Sequence, residues 1–518
     1  MKNIFKLFIL SSVLLVSCDK DLLQPFTPGA LTPDVAITTS SDLQQLMNST
    51  YANFTNRQEF AFSSVFTDEC GIGFANGGQE TTGDYVFNIN VTSNSPTLIW
   101  EVQYYTLSRA NRVIDFAGKI IPTSPADAQL ILRLKAEALT IRAFAHLKLL
   151  SYFSPDPKNN SSLAAVLADK IINSSDSPKQ RSTNGEFYAS IQGDLDNALA
   201  IYNGLTTSPY TGLAVTYYPN KNAVKALKAR AYALKGDYPN AETWANDVIT
   251  NSGISLATAS NYNNVFFTDN EPSNTEVIFR LKRTPAQNTQ ASNLHNVWCS
   301  VKPTLTGSPF FEISRSLFNL VNSNPLDIRR TTLVSPSSVI DPGYATSTDY
   351  RNTDKLIINK HGGVAVGVLT AVSTAANSFN NDFKLIRLSE MYFIRAEARA
   401  AANDFPGVAS NIKTILDNRY STPQTLPVYT SASNAFKGIL DQRRIEFAFE
   451  GYRFIDLKRL AVLAGTGIDR DPADYSSTSS NYPAGNPSNL QMSSYKWALP
   501  IPQSELNANP SIQQNPGY

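Results

Sequence analysis

Ionisable side chains are most crowded in residues 441–462, DQRRIEFAFEGYRFIDLKRLAV. Within this segment Glu446 and Glu450 are four residues apart, a spacing that places two carboxylates on one face of a helix. Two carboxylates about 5 to 10 Å apart form the catalytic pair of many glycoside hydrolases, so a surface glycosidase is one hypothesis. Arginines lie three or four residues from the acids of the segment, at Arg443, Arg453 and Arg459. Nearby cations favour ion pairs with lowered carboxyl pKa values, and the favoured interpretation is a structural network.

Other catalytic arrangements have little support in the sequence. The chain has three histidines, His146, His295 and His361, and none lies in a metal-binding spacing such as HExxH or beside a CxxC pair. The chain also lacks a GxSxG nucleophile motif and a Walker-type phosphate loop. We therefore predict no catalytic residues, no bound metal, no cofactor and no enzymatic activity.

The elements that must position these residues are mainly helices. Small and apolar residues recur at helical spacing in six segments, 98–118, 128–153, 184–203, 221–251, 384–419 and 432–464. Two of these segments are interrupted by turn residues, Gly236-Asp237 and Asn403-Asp404, which predicts two helical hairpins. The first hairpin resembles a tetratricopeptide repeat unit. The predicted fold is mostly α, a tetratricopeptide-like α-solenoid.

Long stretches rich in Ser, Thr, Asn, Pro and Gly separate the helical segments, at 66–97, 205–220, 252–380 and 465–496. Irregular stretches of this length in a compact protein usually carry function, so we expect them to form the ligand face. The folded body is predicted to span residues 41–518. Its N-terminal helical part covers 41–251, and its C-terminal part covers 252–518 and includes the charged helix 441–462.

The N-terminus has the pattern of an export signal. Two lysines flank the start of an apolar run that ends at a small serine before Cys18, which predicts a signal peptide over residues 1–17. The residues LVSC resemble the lipobox of bacterial lipoproteins, which implies a lipid on Cys18. An ordinary signal peptide with an incidental cysteine is the alternative. Residues 18–40, rich in proline and threonine, are predicted to be a flexible tether.

The charge balance argues against nucleic acid as a partner. The chain has 44 Lys+Arg against 43 Asp+Glu, so it carries no global field that would attract a polyanion. Cys70 and Cys299 are the only cysteines besides Cys18, which excludes a disulfide scaffold.

Several motifs resemble those of the SusD/RagB family. Segment 441–462 resembles the family's signature, with RRxEFxFEGxRxxDLxR. The ending WALPIPQSELNANPSIQQNPGY resembles the closing family motif, and three internal stretches match family helices: YYTLSRANRVID, LKAEALTIRAFAHLKLLSYF and RLSEMYFIRAEA. The resemblance covers essentially the whole chain. One departure is Leu460, where many members have tryptophan, and it concerns a packing detail.

The resemblance implies a location and a function. Family members are surface lipoproteins of the Bacteroidetes that lie as lids on TonB-dependent outer-membrane transporters of the SusC type. They capture oligosaccharides or peptides and pass them to the transporter without catalysis. By resemblance, we expect a glycan-binding subunit on the cell surface, anchored to the outer membrane by a lipid on Cys18 and partnered by a SusC-like transporter.

A glycan site is expected to combine exposed aromatic rings, which stack on the CH faces of sugars, with carboxylates or amides that bind hydroxyl groups. Three loop stretches carry such groups. The predicted ligand contacts are Asp68, Phe74 and Asn76 in the first stretch, Trp298 in the second, and Phe310 and Phe311 in the third. Trp298 is the leading choice, and for each residue packing on its own scaffold is the alternative.

Three other functions stay open. The same architecture would capture peptides if its loops offered backbone edges for pairing instead of stacking rings. The glycosidase hypothesis predicts turnover that either Glu446→Gln or Glu450→Gln abolishes. A tetratricopeptide-like adaptor would bind a protein partner but no small ligand.

Overall fold

The computed structural model describes residues 36–78, 80–173, 176–267, 269, 275–283, 298, 309–347, 353–361, 381–475 and 485–518. Helices dominate these residues, which confirms the predicted mostly α fold class. The N-terminal half contains α1 (Ser40–Asn53), α2 (Arg57–Phe66), α3 (Asn94–Phe116), α4 (Pro125–Phe153), α5 (Asn184–Gly204), α6 (Lys221–Lys235) and α7 (Tyr238–Asn251). The C-terminal half contains α8 (Tyr262–Phe267), α9 (Arg315–Asn322), α10 (Ile328–Leu333), α11 (Leu388–Ala401), α12 (Phe405–Asp417), α13 (Ala432–Glu446), α14 (Arg453–Ala464) and α15 (Gln503–Ala508).

Short strands and a few 3-10 turns accompany the helices in the described residues. The strands are β1 (Cys70–Ile72), β2 (Val277–Leu281), β3 (Phe311–Ile313) and β4 (Phe383–Arg387). They form two antiparallel pairs, β1 with β3 and β2 with β4. Each pair joins segments that are distant in sequence, so the strand hydrogen bonds hold these segments together.

Both predicted helical hairpins are present. Helix α6 ends at Gly236, whose φ of 80° gives the left-handed cap that glycine adopts readily, and α7 follows at once. In the second hairpin, Asn403 has a φ of 58° and the Asp404 side chain caps α12. Helix α11 packs on α7, so the two units stack as repeats do.

Helix α4 forms the centre of the N-terminal half. Ser124 caps it by accepting a hydrogen bond from the Asp127 N–H, and a proline occupies its first turn. Every residue from 143 to 153 is buried, including the polar side chains of His146, Lys148 and Ser151, so neighbouring elements surround this part of the helix. The main hydrophobic cluster extends from Leu43 to Ile512, so the N-terminal and C-terminal parts share one core.

The prediction of one continuous helix over 441–462 is wrong. Helix α13 ends at Glu446 and α14 begins at Arg453. Between them Phe449 and Gly451 have φ angles of 62° and 80°, values that a right-handed helix cannot contain. The chain therefore turns here, and α14 packs on α13 instead of extending it.

Within the part of the chain that the structure describes, no helix is both long and apolar enough to cross a membrane. The predicted signal peptide, the lipid site Cys18 and the tether up to residue 35 lie outside the described residues.

Candidate functional site

The two carboxylates proposed as a catalytic pair lie in the protein interior. Glu446 and Glu450 are 0% and 1% exposed. Glu446 accepts hydrogen bonds from Arg387 at 2.7 Å and Arg419 at 2.8 Å. Glu450 accepts two from Arg387, at 2.8 and 2.9 Å, and its carboxylate lies 2.6 Å from the Lys360 ammonium. Both carboxylates are thus paired with buried cations.

The pKa of Glu446 agrees with a structural role. Burial opposes its ionisation, but the Arg419 and Arg387 guanidinium groups hold the pKa of this carboxyl well below its usual range. A fully ionised, fully paired carboxylate neither donates nor accepts protons near neutral pH. The predicted structural network is therefore confirmed for this residue.

The ion pairs predicted within the segment are confirmed for Asp456, which Arg459 contacts at 3.1 Å from three residues away. The pairing predicted for Glu446 and Glu450 with arginines of the same segment is wrong. Arg443 binds Asp456 at 2.8 Å, and Arg459 binds Glu397 at 2.6 Å. The acids Glu446 and Glu450 instead find their cations on strand β4 and in distant loops.

A different region brings the predicted loop residues together. In the sheet formed by β1 and β3, Ile72 pairs with Phe311. Just beyond it, the Gly73 N–H donates to the Phe310 carbonyl at 2.7 Å. A Cβ on Gly73 would lie 2.4 Å from the Pro309 carbonyl oxygen, so glycine is required at this close approach. The sheet thus joins the first and third predicted stretches.

An open groove of about 860 Å³ lies beside this sheet, and we name it the loop groove. Its walls come from α2, from the loop after β1, from the start of α3 and from the residues around β3. The lining side chains are Arg57, Gln58, Ala61, Val65, Glu80, Asp84, Asn94, Ser95, Leu98, Phe310 and Phe311. The groove therefore combines apolar surface with carboxyl, amide, hydroxyl and guanidinium groups.

Four predicted contact residues lie in or next to the loop groove. Phe310 is half-buried and lines it, whereas Phe311 lines it with only 1% of its surface exposed. Phe74 is half-buried on the adjoining segment, with the Lys355 ammonium 4.4 Å from its ring centre. Asn76 donates to the Phe310 carbonyl at 2.9 Å, so it supports the groove wall. Ligand contact by these four residues stays a prediction.

The structure places Trp298 and Asp68 differently from what was expected. Both are 0% exposed. The Trp298 indole N–H donates to Ser64 Oγ at 3.0 Å, and its ring centre lies 5.4 Å from that of Phe449. Asp68 accepts two hydrogen bonds of 2.7 Å from Arg453. The expectation of an exposed stacking ring at Trp298 is corrected, because the fold uses this ring as core packing.

Two carboxyl groups give the loop groove its polarity. Glu80 is exposed and has a φ of 56°, an uncommon conformation for a residue other than glycine. Asp84 is buried and accepts a hydrogen bond from the Ser95 hydroxyl. Burial, together with repulsion from Glu80, raises the pKa of Asp84 to about 7. Near neutral pH Asp84 is therefore partly protonated and offers either a donor or an acceptor to a hydroxyl group.

Sequence reasoning missed the helical wall of the groove. Arg57 and Gln58 open α2, and Leu98, which is 40% exposed, lies near the start of α3. The Gln58 side-chain oxygen is buried and has no hydrogen-bond partner among the described residues. In the sequence Leu98 is one apolar residue among many, and a single exposed apolar side chain is common on protein surfaces, so nothing there marked it as part of a groove.

The fold and the groove together define a class: a tetratricopeptide-like helical scaffold with an open groove between two helices and long loops. Comparisons with known proteins agree. A model described as the SusD family matches residues 330–518, and a model described as starch-binding and associating with the outer membrane matches residues 30–233. The chain belongs to the SusD/RagB family.

Individual relatives are distant but cover the chain. SusD-like protein P2 of Formosa agariphila is 23% identical, with 100% of both chains covered. A solved SusD superfamily protein of Bacteroides thetaiotaomicron has a TM-score of 0.73 at 23% identity, covering 92% of this chain and 100% of its own. A solved laminarin-binding SusD-like protein has a TM-score of 0.66 at 20% identity, covering 93% of this chain and 100% of its own. At these identities the solved structures establish the fold alone.

Proposed function

We propose that this chain is a non-catalytic, cell-surface binding protein that captures an oligosaccharide or polysaccharide in the loop groove. It then delivers the ligand to a partner TonB-dependent outer-membrane transporter of the SusC type. The observation that carries this proposal is the composition of the groove, where half-buried Phe310 and exposed Leu98 lie beside Glu80, Asp84 and other polar side chains.

This composition suits a sugar better than a small apolar ligand. Apolar ring surface stacks on the CH face of a pyranose, and carboxyl or amide groups bind its hydroxyls. The groove is open to solvent, so a sugar chain can lie along it and extend beyond its ends. The relatives support a sugar, because one family model is described as starch-binding and one solved relative binds laminarin.

The proposed delivery depends on attachment to the membrane. A lipid on Cys18 would hold the body at the outer membrane through residues 18–40. At full extension these residues reach about 75 Å, since each adds roughly 3.3 Å. The body could then swing away from a transporter and return while it stays anchored, as a lid requires.

A glycosidase that uses Glu446 and Glu450 is disfavoured by their burial in ion pairs of 2.6 to 2.9 Å. Peptide capture by the same groove is the second candidate. It differs in its recognition chemistry, because peptides bind through backbone pairing at exposed strand edges. Strand β3 is buried throughout, which favours sugars over peptides.

The test is binding of the purified full chain to a panel of neutral and acidic polysaccharides and to casein-derived peptides, measured by affinity electrophoresis and isothermal titration calorimetry. Variants Phe310→Ala and Leu98→Ala remove apolar surface from the groove. Leu426→Ala is the matched control, because Leu426 is 54% exposed and lies outside the groove.

We expect saturable binding to one polysaccharide class, weakened about tenfold or more by each groove variant and unchanged in the control. Binding to peptides alone would replace the sugar proposal with peptide capture. Sugar binding that all three variants leave intact would place the site elsewhere and refute the groove assignment.

A further inference from the structure

A second cleft, of about 600 Å³, lies between helix α4 and the loop that joins α5 to α6. Its lining residues are Arg133, Tyr202, Leu205, Thr206, Thr207, Ser208, Tyr210, Pro219, Asn220 and Lys221. We name it the Arg133 cleft. It shares no lining residue with the loop groove, so the two are separate surfaces.

Tyrosine rings form a fixed wall of the Arg133 cleft. Tyr210 stacks on Tyr218 with ring centres 3.9 Å apart and planes inclined by 8°. The Tyr202 hydroxyl donates to the Pro219 carbonyl at 2.7 Å, which holds the second ring of the wall. Tyr202 and Tyr210 line the cleft and are half-buried, whereas Tyr218 does not line it and supports Tyr210 by stacking. The Arg133 guanidinium lies 5.2 Å from the centre of the Tyr210 ring, so Tyr210 positions the cation and Tyr202 is the ring that faces a ligand. Rings that are already stacked and bonded lose little freedom when a ligand packs on them.

The loop that carries this wall is anchored to the helices. The Thr206 N–H donates to Gln129 on α4 at 3.1 Å. The Tyr210 hydroxyl donates to the Glu137 carboxyl, also on α4, at 3.1 Å. Thr207 and Ser208 are exposed between these two anchors and supply hydroxyl groups at the rim of the cleft.

The charges in the cleft do not cancel. The Arg133 Nε is buried and has no hydrogen-bond partner among the described residues, and its nearest acid is Glu137 at 3.5 Å. Glu137 already accepts hydrogen bonds from the hydroxyls of Tyr51, at 2.7 Å, and Tyr210. Burial raises the pKa of Glu137 to about 7, so its charge is incomplete near neutral pH.

A second cation strengthens the positive potential. Lys221 is exposed, and no ion pair joins it to another described residue. It is the first residue of α6, whose first turn contains no acidic side chain. A cation in the first turn of a helix is unfavourable for the helix itself, because the N–H groups there are also positive. An anion bound between Arg133 and Lys221 would reduce the repulsion among these positive charges.

We propose that the Arg133 cleft is a second carbohydrate site, selective for an acidic sugar unit such as a uronate. The Tyr202 ring packs on the pyranose ring, and the Arg133 guanidinium, held over the Tyr210 ring, pairs with the sugar carboxylate through charge-assisted hydrogen bonds. Lys221 attracts the same charge from the rim. This inference shares with the proposed function only the chemical class of the ligand, and it concerns a different surface.

The experiment measures binding of trigalacturonate to the purified full chain by isothermal titration calorimetry, with neutral maltotriose as the comparison probe. Arg133→Gln removes the charge, and Arg133→Lys keeps the charge but loses the planar donor set. The control is Arg112→Gln, since Arg112 is half-buried on α3 and, among the described residues, its side chain donates hydrogen bonds only to Ser108 of its own helix. Urea unfolding of each variant establishes that it folds.

We expect trigalacturonate to bind the wild type more tightly than maltotriose does, and Arg133→Gln to weaken this binding about tenfold or more. Arg133→Lys should be intermediate and Arg112→Gln unchanged. Equal affinity for both probes, unaltered binding to folded Arg133→Gln, or no saturable trigalacturonate binding would each overturn the proposal. If Phe310→Ala or Leu98→Ala abolishes trigalacturonate binding instead, the acidic sugar belongs to the loop groove and the second site is refuted.

Discussion

The carboxyl of Asp84 in the loop groove gives the sharpest prediction about stability. Its ordinary pKa of 3.8 is raised to about 7 in the folded protein, first by burial and then by repulsion from Glu80. Between these two pH values the folded chain retains a proton that the unfolded chain releases. Folding stability therefore falls as pH rises from about 4 to 7, and the full penalty is present above pH 7.

The size of the penalty follows from the two pKa values. They differ by about three pH units, and each unit corresponds to 1.36 kcal/mol, so the penalty is at most about 4 kcal/mol. Asp84→Asn removes the ionisation and keeps an oxygen that can accept the hydrogen bond from Ser95. The variant should therefore be more stable than the wild type at pH 8 by up to about 4 kcal/mol and nearly equal to it at pH 4.

Urea unfolding of both proteins at pH 4, 6 and 8 measures this difference as a shift in the midpoint at constant slope. Asp115→Asn is the control. Asp115 is 39% exposed and pairs with Lys119 on the surface of α3, so its replacement should change stability by less than about 1 kcal/mol. A stability difference between Asp84→Asn and wild type that does not grow with pH would refute the reasoning.

Two further predictions concern residues that the fold buries. Arg387→Met removes the one arginine that donates to both Glu446 and Glu450, so the free energy of unfolding should fall by about 3–5 kcal/mol. Lys437→Met, which breaks an exposed pair, should cost less than about 1 kcal/mol, and equal losses in urea unfolding would contradict this. Trp298→Ala should lower stability by about 3–5 kcal/mol through loss of core packing, while calorimetry on the protein that remains folded should give unchanged sugar affinity. A folded, fully stable Trp298→Ala variant that no longer binds sugar would restore Trp298 as a ligand contact.

The candidate site was only partly predictable. Phe310, Phe311, Phe74 and Asn76 stood out because they combine aromatic and amide groups in long loops, and the structure gathers them at one sheet. Nothing in the local sequence distinguishes a loop aromatic residue that faces solvent from one that packs in the core. For this reason the predicted exposure of the Trp298 ring is wrong. Its burial depends on Phe449 and Ser64, which are far from it in sequence.

The sequence by itself determined the helical scaffold and its family. Helical periodicity, caps and turn residues act over three or four positions, so the hairpins at Gly236 and Asn403 could be read directly. The tertiary structure alone decided which charges meet and where a groove opens. Glu446 ends α13 and meets Arg387 and Arg419 from distant segments, and a local spacing cannot specify partners that the folding of distant segments brings together.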